Sequence, residues 1–261
     1  MNCILYLVDT HDLANFRLSL DSIPKGLQGY PIIAYHEASL TEEVRSGLKS
    51  AHPQLEFYEI SLECPSYSEE IDAKIPEQFV MDICSFGIGY RSMCRFFSGE
   101  IFKRPELLPY EYALRLDTDS AIIDMPFNPF DTMVESGADY GYRLLCNDHP
   151  QCYVNYYAHL KRVVESLGHT YTLQKEEEGN VYYTNFEVMR LSSFRSPLHQ
   201  TVYECMDKTG GFYLHRWGDH IHRYAFIRQF GLKAHQMVFG YHHGTSNFVD
   251  ERELFFFGRA S

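Results

Sequence analysis

The first 36 residues constrain the fold more than any other stretch. Asn2 to Val8 (NCILYLV) is a short apolar run with the signature of a buried strand, and Asp9-Thr10-His11-Asp12 closes it with turn formers. A helical pattern then runs from about Leu13 through Leu18, Leu20 and Ile23 and stops at Pro24-Lys25-Gly26. Tyr30-Pro31-Ile32-Ile33-Ala34-Tyr35 is a second strand, with His36-Glu37 at its exit. Strand, helix and strand in so short a span make a βαβ unit, whose crossover joins parallel strands. The expected class is therefore α/β, with a central, mostly parallel sheet flanked by helices. Ligands of such sheets gather at the carboxyl ends of strands. Asp9 and Tyr35 thus become candidates for nucleotide contacts, with ordinary connecting loops as the alternative.

The second feature lies mid-chain. Tyr112, Leu114 and Leu116 alternate with Ala113 and Arg115, again a strand, and the strand stops on two carboxylates, Asp117 and Asp119. Carboxylates that converge repel one another unless a cation sits between them. Asp-x-Asp at a strand end is how many nucleotide-sugar glycosyltransferases hold a divalent metal; an Asp-rich turn is the alternative.

Composition excludes several classes. The chain has 261 residues, 45% hydrophobic and 15% aromatic, so it is globular and long enough for one large or two small domains. A net charge of −12 argues against nucleic acid or anionic membrane as the main partner. Seven cysteines without a CxxC pair indicate a reducing compartment, although Cys146 and Cys152 are close enough in sequence to pair if oxidised. With no basic n-region and no long apolar span, the expectation is a soluble, cytoplasmic chain without a membrane segment.

The rest of the chain continues the α/β pattern. Leu40 to Ala51 reads as a polar helix, Leu55 to Ile60 as a third strand, and 61–76 as a loop. From Gly89 to Phe102 the period is helical and sets Arg91 and Arg95 four residues apart on one face. Like charges at that spacing destabilise a helix, so a diphosphate or acidic neighbours must compensate. Asn128-Pro129 and Ser196-Pro197 have the form of helix starts. Tyr140 to Leu145 reads as a strand, and a helix carrying Val154, Tyr157, Leu160, Val164 and Leu167 on one face ends at Gly168. Val181 to Met189 (VYYTNFEVM) alternates as one strand, with Tyr183, Asn185, Glu187 and Met189 on a single face. Glu187 is costly there unless paired or functional, or else that face is exposed. Asp219 is placed to cap the helix that follows it. A last strand near Met237 to Phe239 leads into Gly240-Tyr241-His242-His243; adjacent strand residues point to opposite sides, so one histidine is available to a metal.

Taken in order, Arg91-Ser92-Met93-Cys94-Arg95-Phe96, Asn185-Phe186-Glu187, Phe194-Arg195-Ser196-Pro197, Gly210-Gly211-Phe212, Arg216-Trp217-Gly218-Asp219 and Gly240-Tyr241-His242-His243 resemble the fungal α-1,2-mannosyltransferases of glycosyltransferase family 15. The resemblance covers roughly Gly89 to Gly244. It implies a GT-A fold spanning 1–261, with 1–75 as the nucleotide-binding βαβ part and 89–244 carrying metal, donor and acceptor sites. It also implies GDP-mannose as donor, a mannose-containing glycan or glycoside as acceptor, Mn²⁺ (Mg²⁺ as the alternative) and retention of configuration. The implied nucleophile is Glu187 and the implied metal ligands are Asp117 and His243, with Asp119 as an extra carboxylate. Asp219 joins the catalytic set, and Arg91, Arg95, Asn185 and Trp217 join Asp9, Tyr35 and Asp117 at the nucleotide-sugar. This chain departs from the family at Asp117-Thr118, where a Glu-Pro is usual, and at Asp9, where an arginine is expected.

The barrier to such a transfer is set by charge building on the leaving diphosphate, which a divalent ion offsets. Retention runs either through a carboxylate nucleophile or by same-face return, with Glu187 as nucleophile in the first and electrostatic prop in the second. Three rivals remain open at this point: another donor such as a UDP-hexose, a metal-dependent phosphohydrolase, and a silent sugar-binding domain.

Overall fold

The N-terminal βαβ unit forms as expected. The computed structural model describes residues 1–81 and 84–244, so the stretch 245–261 of the expected domain lies outside the described residues. The strands are β1 (Asn2–Val8), β2 (Ile32–His36), β3 (Leu55–Glu59), β4 (Phe79–Met81), β5 (Cys84–Phe86), β6 (Tyr112–Leu116), β7 (Ser120–Asp124), β8 (Tyr140–Tyr142), β9 (Leu145–Asn147), β10 (Asn180–Tyr182), β11 (Phe186–Arg190), β12 (Ala234–Gln236) and β13 (Gly240–His243). Seven of them build one sheet in the order β12-β8-β11-β6-β1-β2-β3. Its pairings are parallel except at β11, which runs antiparallel to both β6 and β8.

Both faces of this sheet are buried, because period-2 alternation sends side chains to opposite sides. Ile4, Tyr6, Leu114 and Val188 pack on one side with Phe16, Leu20, Phe130 and Met133 from the helices Leu13–Ser22 and Pro129–Ser136. Cys3, Leu5, Ala113 and Met189 pack on the other with Phe97, Leu160, Val202 and Phe226, from the helices Ile88–Ser98, Tyr156–Ser166, Pro197–Asp207 and Asp219–Gln229. Arg115 and Glu187 belong to this second face by parity, directly opposite each other in the β6–β11 register. A charged pair is thereby carried into the middle of the sheet.

Asn128 and Ser196 cap their helices through their side chains, accepting from the Phe130 and His199 amides, with proline at the first helical turn in each case. Four expectations need correction. The run Val181 to Met189 is not one strand: β10 pairs with β9 in a small sheet, the chain breaks at 183–185, and β11 re-enters the main sheet. Alternation hides the break because the period is the same on both sides. Tyr140 to Leu145 divides in the same way into β8 and β9. Asp219 does not cap its helix; Gly218 is the N-cap, and the Asp219 carboxylate goes to Arg115 instead. The last strand is not 237–239 but β12 and β13 on either side of it, with Met237 and Phe239 in the core. The six described free cysteines include Cys146 and Cys152. Among the described residues no helix is long and apolar enough to cross a membrane.

Candidate active site

The strand β6 ends at Leu116 and delivers Asp117 and Asp119 into the turn before β7. β7 pairs antiparallel with β13, setting His243 opposite Ser120, and the Gly244 amide donates to the Asp119 carbonyl at 3.1 Å. A residue more than a hundred positions away is thus held against the turn by backbone pairing. His243 Nε2 lies 3.1 Å from Asp119 Oδ1 and 3.8 Å from Asp117 Oδ2, while its Nδ1 is 3.3 Å from the Tyr183 hydroxyl. One ligand atom from each of Asp117, Asp119 and His243 lies within 4.8 Å of the others. Burial opposes the charge on His243, but the two carboxylates outweigh it and push the imidazole up to about 9. Burial likewise works against the Asp119 carboxylate, yet His243 brings its pKa below the usual value. Two carboxylates and an imidazole are an oxygen-rich set with one nitrogen, the donor chemistry that suits Mn²⁺.

This cluster stands on the divide between two hollows. One, of about 440 Å³, opens at the carboxyl ends of β1 and β2 and is lined by Asp9, Asp12, Glu37, Ser39 and Leu62. The other, of about 480 Å³, is lined by Asp148, Tyr183, Asn185, Arg216, Asp219 and His220. Tyr90, Met93, Arg115, Asp117 and Asp119 line both.

Beneath the divide lies a buried charge network. Arg115 donates to Asp117 Oδ1 at 3.0 Å, to Asp219, and to Glu187 Oε1 at 3.4 Å, with its guanidinium 3.5 Å from the centre of the Phe97 ring. The second oxygen of Glu187 accepts from Arg223 Nε at 3.0 Å. Burial disfavours charge on Asp219, but Arg115 and His220 hold its carboxyl well below the usual range. On the far wall Asp148 accepts from Arg216 at 2.9 Å and lies 2.6 Å from His220 Nε2, and these neighbours overcome burial to lower its carboxyl to about 2. Arg216 takes this position from a left-handed backbone (φ 54°), uncommon for a residue with a side chain.

Of the residues singled out in the sequence, Asp117, Asp119 and His243 come together, and Asn185 and Asp219 line the second hollow beside them. The Asn185 carbonyl accepts from the Asp117 amide and the Tyr241 hydroxyl, tying the broken strand to the turn that carries Asp117 and Asp119. Its side-chain Nδ2 is buried without a hydrogen-bond partner among the described residues. Asp9 lines the first hollow but spends its carboxylate on the His11 amide. Glu187 is wholly buried behind Arg115 and lines neither hollow.

The remaining four lie elsewhere. Tyr35 is fully buried against Phe96, since the last residues of β2 still alternate into the core. Arg91 donates to the carbonyls of Gly87, Pro76, Glu77 and Tyr213. Arg95 forms a two-pronged pair with Asp207, the acidic neighbour that compensates its helix. Trp217 is fully buried against Tyr156 and Phe212, donating to the Val154 carbonyl. Sequence reading passed over Arg115, Asp148, Arg216 and His220 as site residues. Arg115 carried a usable signal, a cation on the alternate face of an apolar strand, the same feature that drew attention to Glu187.

A mostly parallel sheet with helices on both faces, and a carboxylate pair leaving its fourth-placed strand beside a split cleft, define a GT-A-type glycosyltransferase fold. The solved structures agree: the chain superposes on core-mannan synthase A (CmsA/Ktr4) of Aspergillus fumigatus in its Mn/GDP form with a TM-score of 0.77 at 20% identity, covering 93% of this chain and 74% of that one. The mannosyltransferase Ktr4p of S. cerevisiae in complex with GDP gives 0.76 at 24% identity, over 93% and 70%. The chain belongs to the glycolipid 2-alpha-mannosyltransferase family, whose model matches residues 1–245. Among its relatives are the probable mannosyltransferase KTR4 of Saccharomyces cerevisiae (26% identical over 92% of this chain) and the glycolipid 2-alpha-mannosyltransferase of the same yeast (24% over 83%). The chain spans 59% and 54% of the length of these two proteins.

Proposed function

We propose that the chain is a retaining α-mannosyltransferase that moves mannose from GDP-mannose to a hydroxyl of a mannose-containing glycan or glycoside, forming an α-1,2 linkage. The observation that carries this reading is the place of Asp117, Asp119 and His243 on the divide between two hollows at the carboxyl ends of the strands. These three would hold Mn²⁺, which when bound offsets the charge that builds on the leaving diphosphate. The nucleoside belongs in the hollow below β1 and β2, and the hexose and acceptor in the hollow lined by Asn185 and Asp219. Asn185 brings a buried donor without a partner among the described residues, and Asp219 a buried carboxylate held ionised, both suited to sugar hydroxyls. The family assignment and the solved relatives' Mn/GDP and GDP complexes support the choice of donor and metal.

For Glu187 the geometry favours the same-face route. Both its oxygens face guanidinium groups, and Arg115 stands between it and the cleft. It stabilises Arg115, which in turn orients Asp117 and Asp219; a nucleophilic route would first have to displace Arg115.

The test is a panel of nucleotide-sugars with and without EDTA, scoring nucleotide release and glycan products with mannoside acceptors. GDP-mannose should give a metal-dependent mannoside product, and Asp117→Ala should lower its rate about 10²–10³-fold. Equal turnover of a UDP-hexose, transfer indifferent to EDTA, or phosphate release without an acceptor would each overturn the reading.

A further inference from the structure

The hollow below β1 and β2 carries three carboxylates from its βαβ wall, and two are already committed. Asp9 accepts from the His11 amide at 2.8 Å, and Asp12 accepts from Asn15 Nδ2 at 2.6 Å and from the Thr118 hydroxyl. Glu37 is different. Its side chain is exposed, its Oε1 accepts only a long 3.4 Å hydrogen bond from the Leu62 amide, and no cation pairs with it among the described residues. Its backbone is nevertheless anchored: the Glu37 carbonyl accepts from the Leu40 amide at 3.1 Å and from Nδ1 of the buried His36 at 2.8 Å, and His36 Nε2 lies 3.2 Å from Arg45. A carboxylate with open acceptor positions is thus held at the end of β2, facing a cavity whose apolar walls include Leu7, Leu62 and Met93.

We propose that Glu37 reads the nucleobase and selects guanine. This rests on the donor reading above and deepens it. Guanine presents N1–H and N2–H side by side, and the two oxygens of one carboxylate accept both in parallel. Ser39, lining the same hollow, brings a hydroxyl able to donate to guanine O6. Uracil offers a single N–H between two carbonyl oxygens, so one carboxylate oxygen would face an acceptor. Adenine presents an acceptor at N1 and is disfavoured for the same reason. A carboxylate oxygen set against a base acceptor gains no hydrogen bond and is repelled, so a competing base forfeits the charge-assisted pair that guanine makes.

Calorimetric titration of the full chain in Mn²⁺ with GDP, IDP and UDP tests this in the wild type, Glu37→Ala and Glu37→Gln. IDP lacks only the N2 amino group. The wild type should prefer GDP to both competitors. In Glu37→Ala, GDP affinity should fall about 10- to 100-fold while UDP affinity holds or improves, so the GDP-to-UDP and GDP-to-IDP ratios collapse. Glu37→Gln, which puts a donor where an acceptor is needed, should lower both ratios as well. Ratios taken within one variant are insensitive to loss of folded protein. Wild-type preference for UDP, or ratios unchanged in both variants, would overturn the assignment of Glu37 while leaving the enzyme class intact. Failure of the wild type to bind any of the three nucleotides in Mn²⁺ would instead overturn the donor reading.

Discussion

Replacing Glu187 by glutamine asks whether this carboxylate is chiefly a counter-ion. Arg115 would keep Asp117 and Asp219, so its charge stays compensated. Arg223 would not. It is fully buried, and its only carboxylate among the described residues is Glu187; what remains is the Phe97 carbonyl and the faces of Phe102 and Phe194. Breaking a buried pair so that one charge is stranded costs about 3–5 kcal/mol. For a chain of this size that lowers the melting temperature by about 6–20 °C, at roughly 2–4 °C per kcal/mol. Removing the stranded charge too should reverse much of the loss, since an apolar residue of similar volume often replaces a buried ion pair at little cost. Urea or thermal unfolding of the wild type, Glu187→Gln, Arg223→Met and the double variant closes a double-mutant cycle. The double variant should be more stable than Glu187→Gln by about 2 kcal/mol or more. A Glu187→Gln protein within about 0.5 kcal/mol of wild type, a surface-like effect, would refute the reasoning, as would a double variant no more stable than the single one. If such a stable Glu187→Gln protein also lost all transfer, Glu187 would return to the role of nucleophile.

Three further outcomes are expected. Because the His243 imidazole holds its proton up to about 9, and a metal must displace that proton, Mn²⁺ affinity should weaken by about tenfold per pH unit below that point; a flat titration between pH ~6.5 and ~8.5 would remove His243 from the ligand set. Asp148, lowered to about 2 by His220 and Arg216 against the pull of burial, contributes stability that is full above its ordinary pKa near 3.8 and lost as pH falls towards 2. Asp148→Asn should therefore flatten that part of the acid-unfolding profile. Gly211→Ala would drive a methyl into the ring of the buried Trp217 and should destabilise by about 1–3 kcal/mol in equilibrium unfolding; an unchanged melting curve would show that the indole can yield.

Several features were legible in the chain itself because they depend on neighbours in sequence. The βαβ start, the β6 strand and its terminal carboxylates, and the two proline-led helix caps follow from local periodicity and capping chemistry. The gathering of Asp117, Asp119 and His243 was legible in part, through the order of motifs that resemble one family rather than through any single spacing. What tertiary structure alone decided is where charge goes. Only cross-strand register sets Glu187 against Arg115, and only the β7–β13 pairing brings His243 to Asp119. Arg91 and Arg95 show the converse: equal spacing on one helix face called for a diphosphate or acidic neighbours without choosing, and in the fold Arg91 turns to backbone carbonyls while Arg95 takes Asp207. Sequence determines which groups a segment can offer and at what period. Whether a group meets solvent, a partner or a ligand depends on elements distant in the chain, because desolvation and pairing energies are set by three-dimensional neighbours.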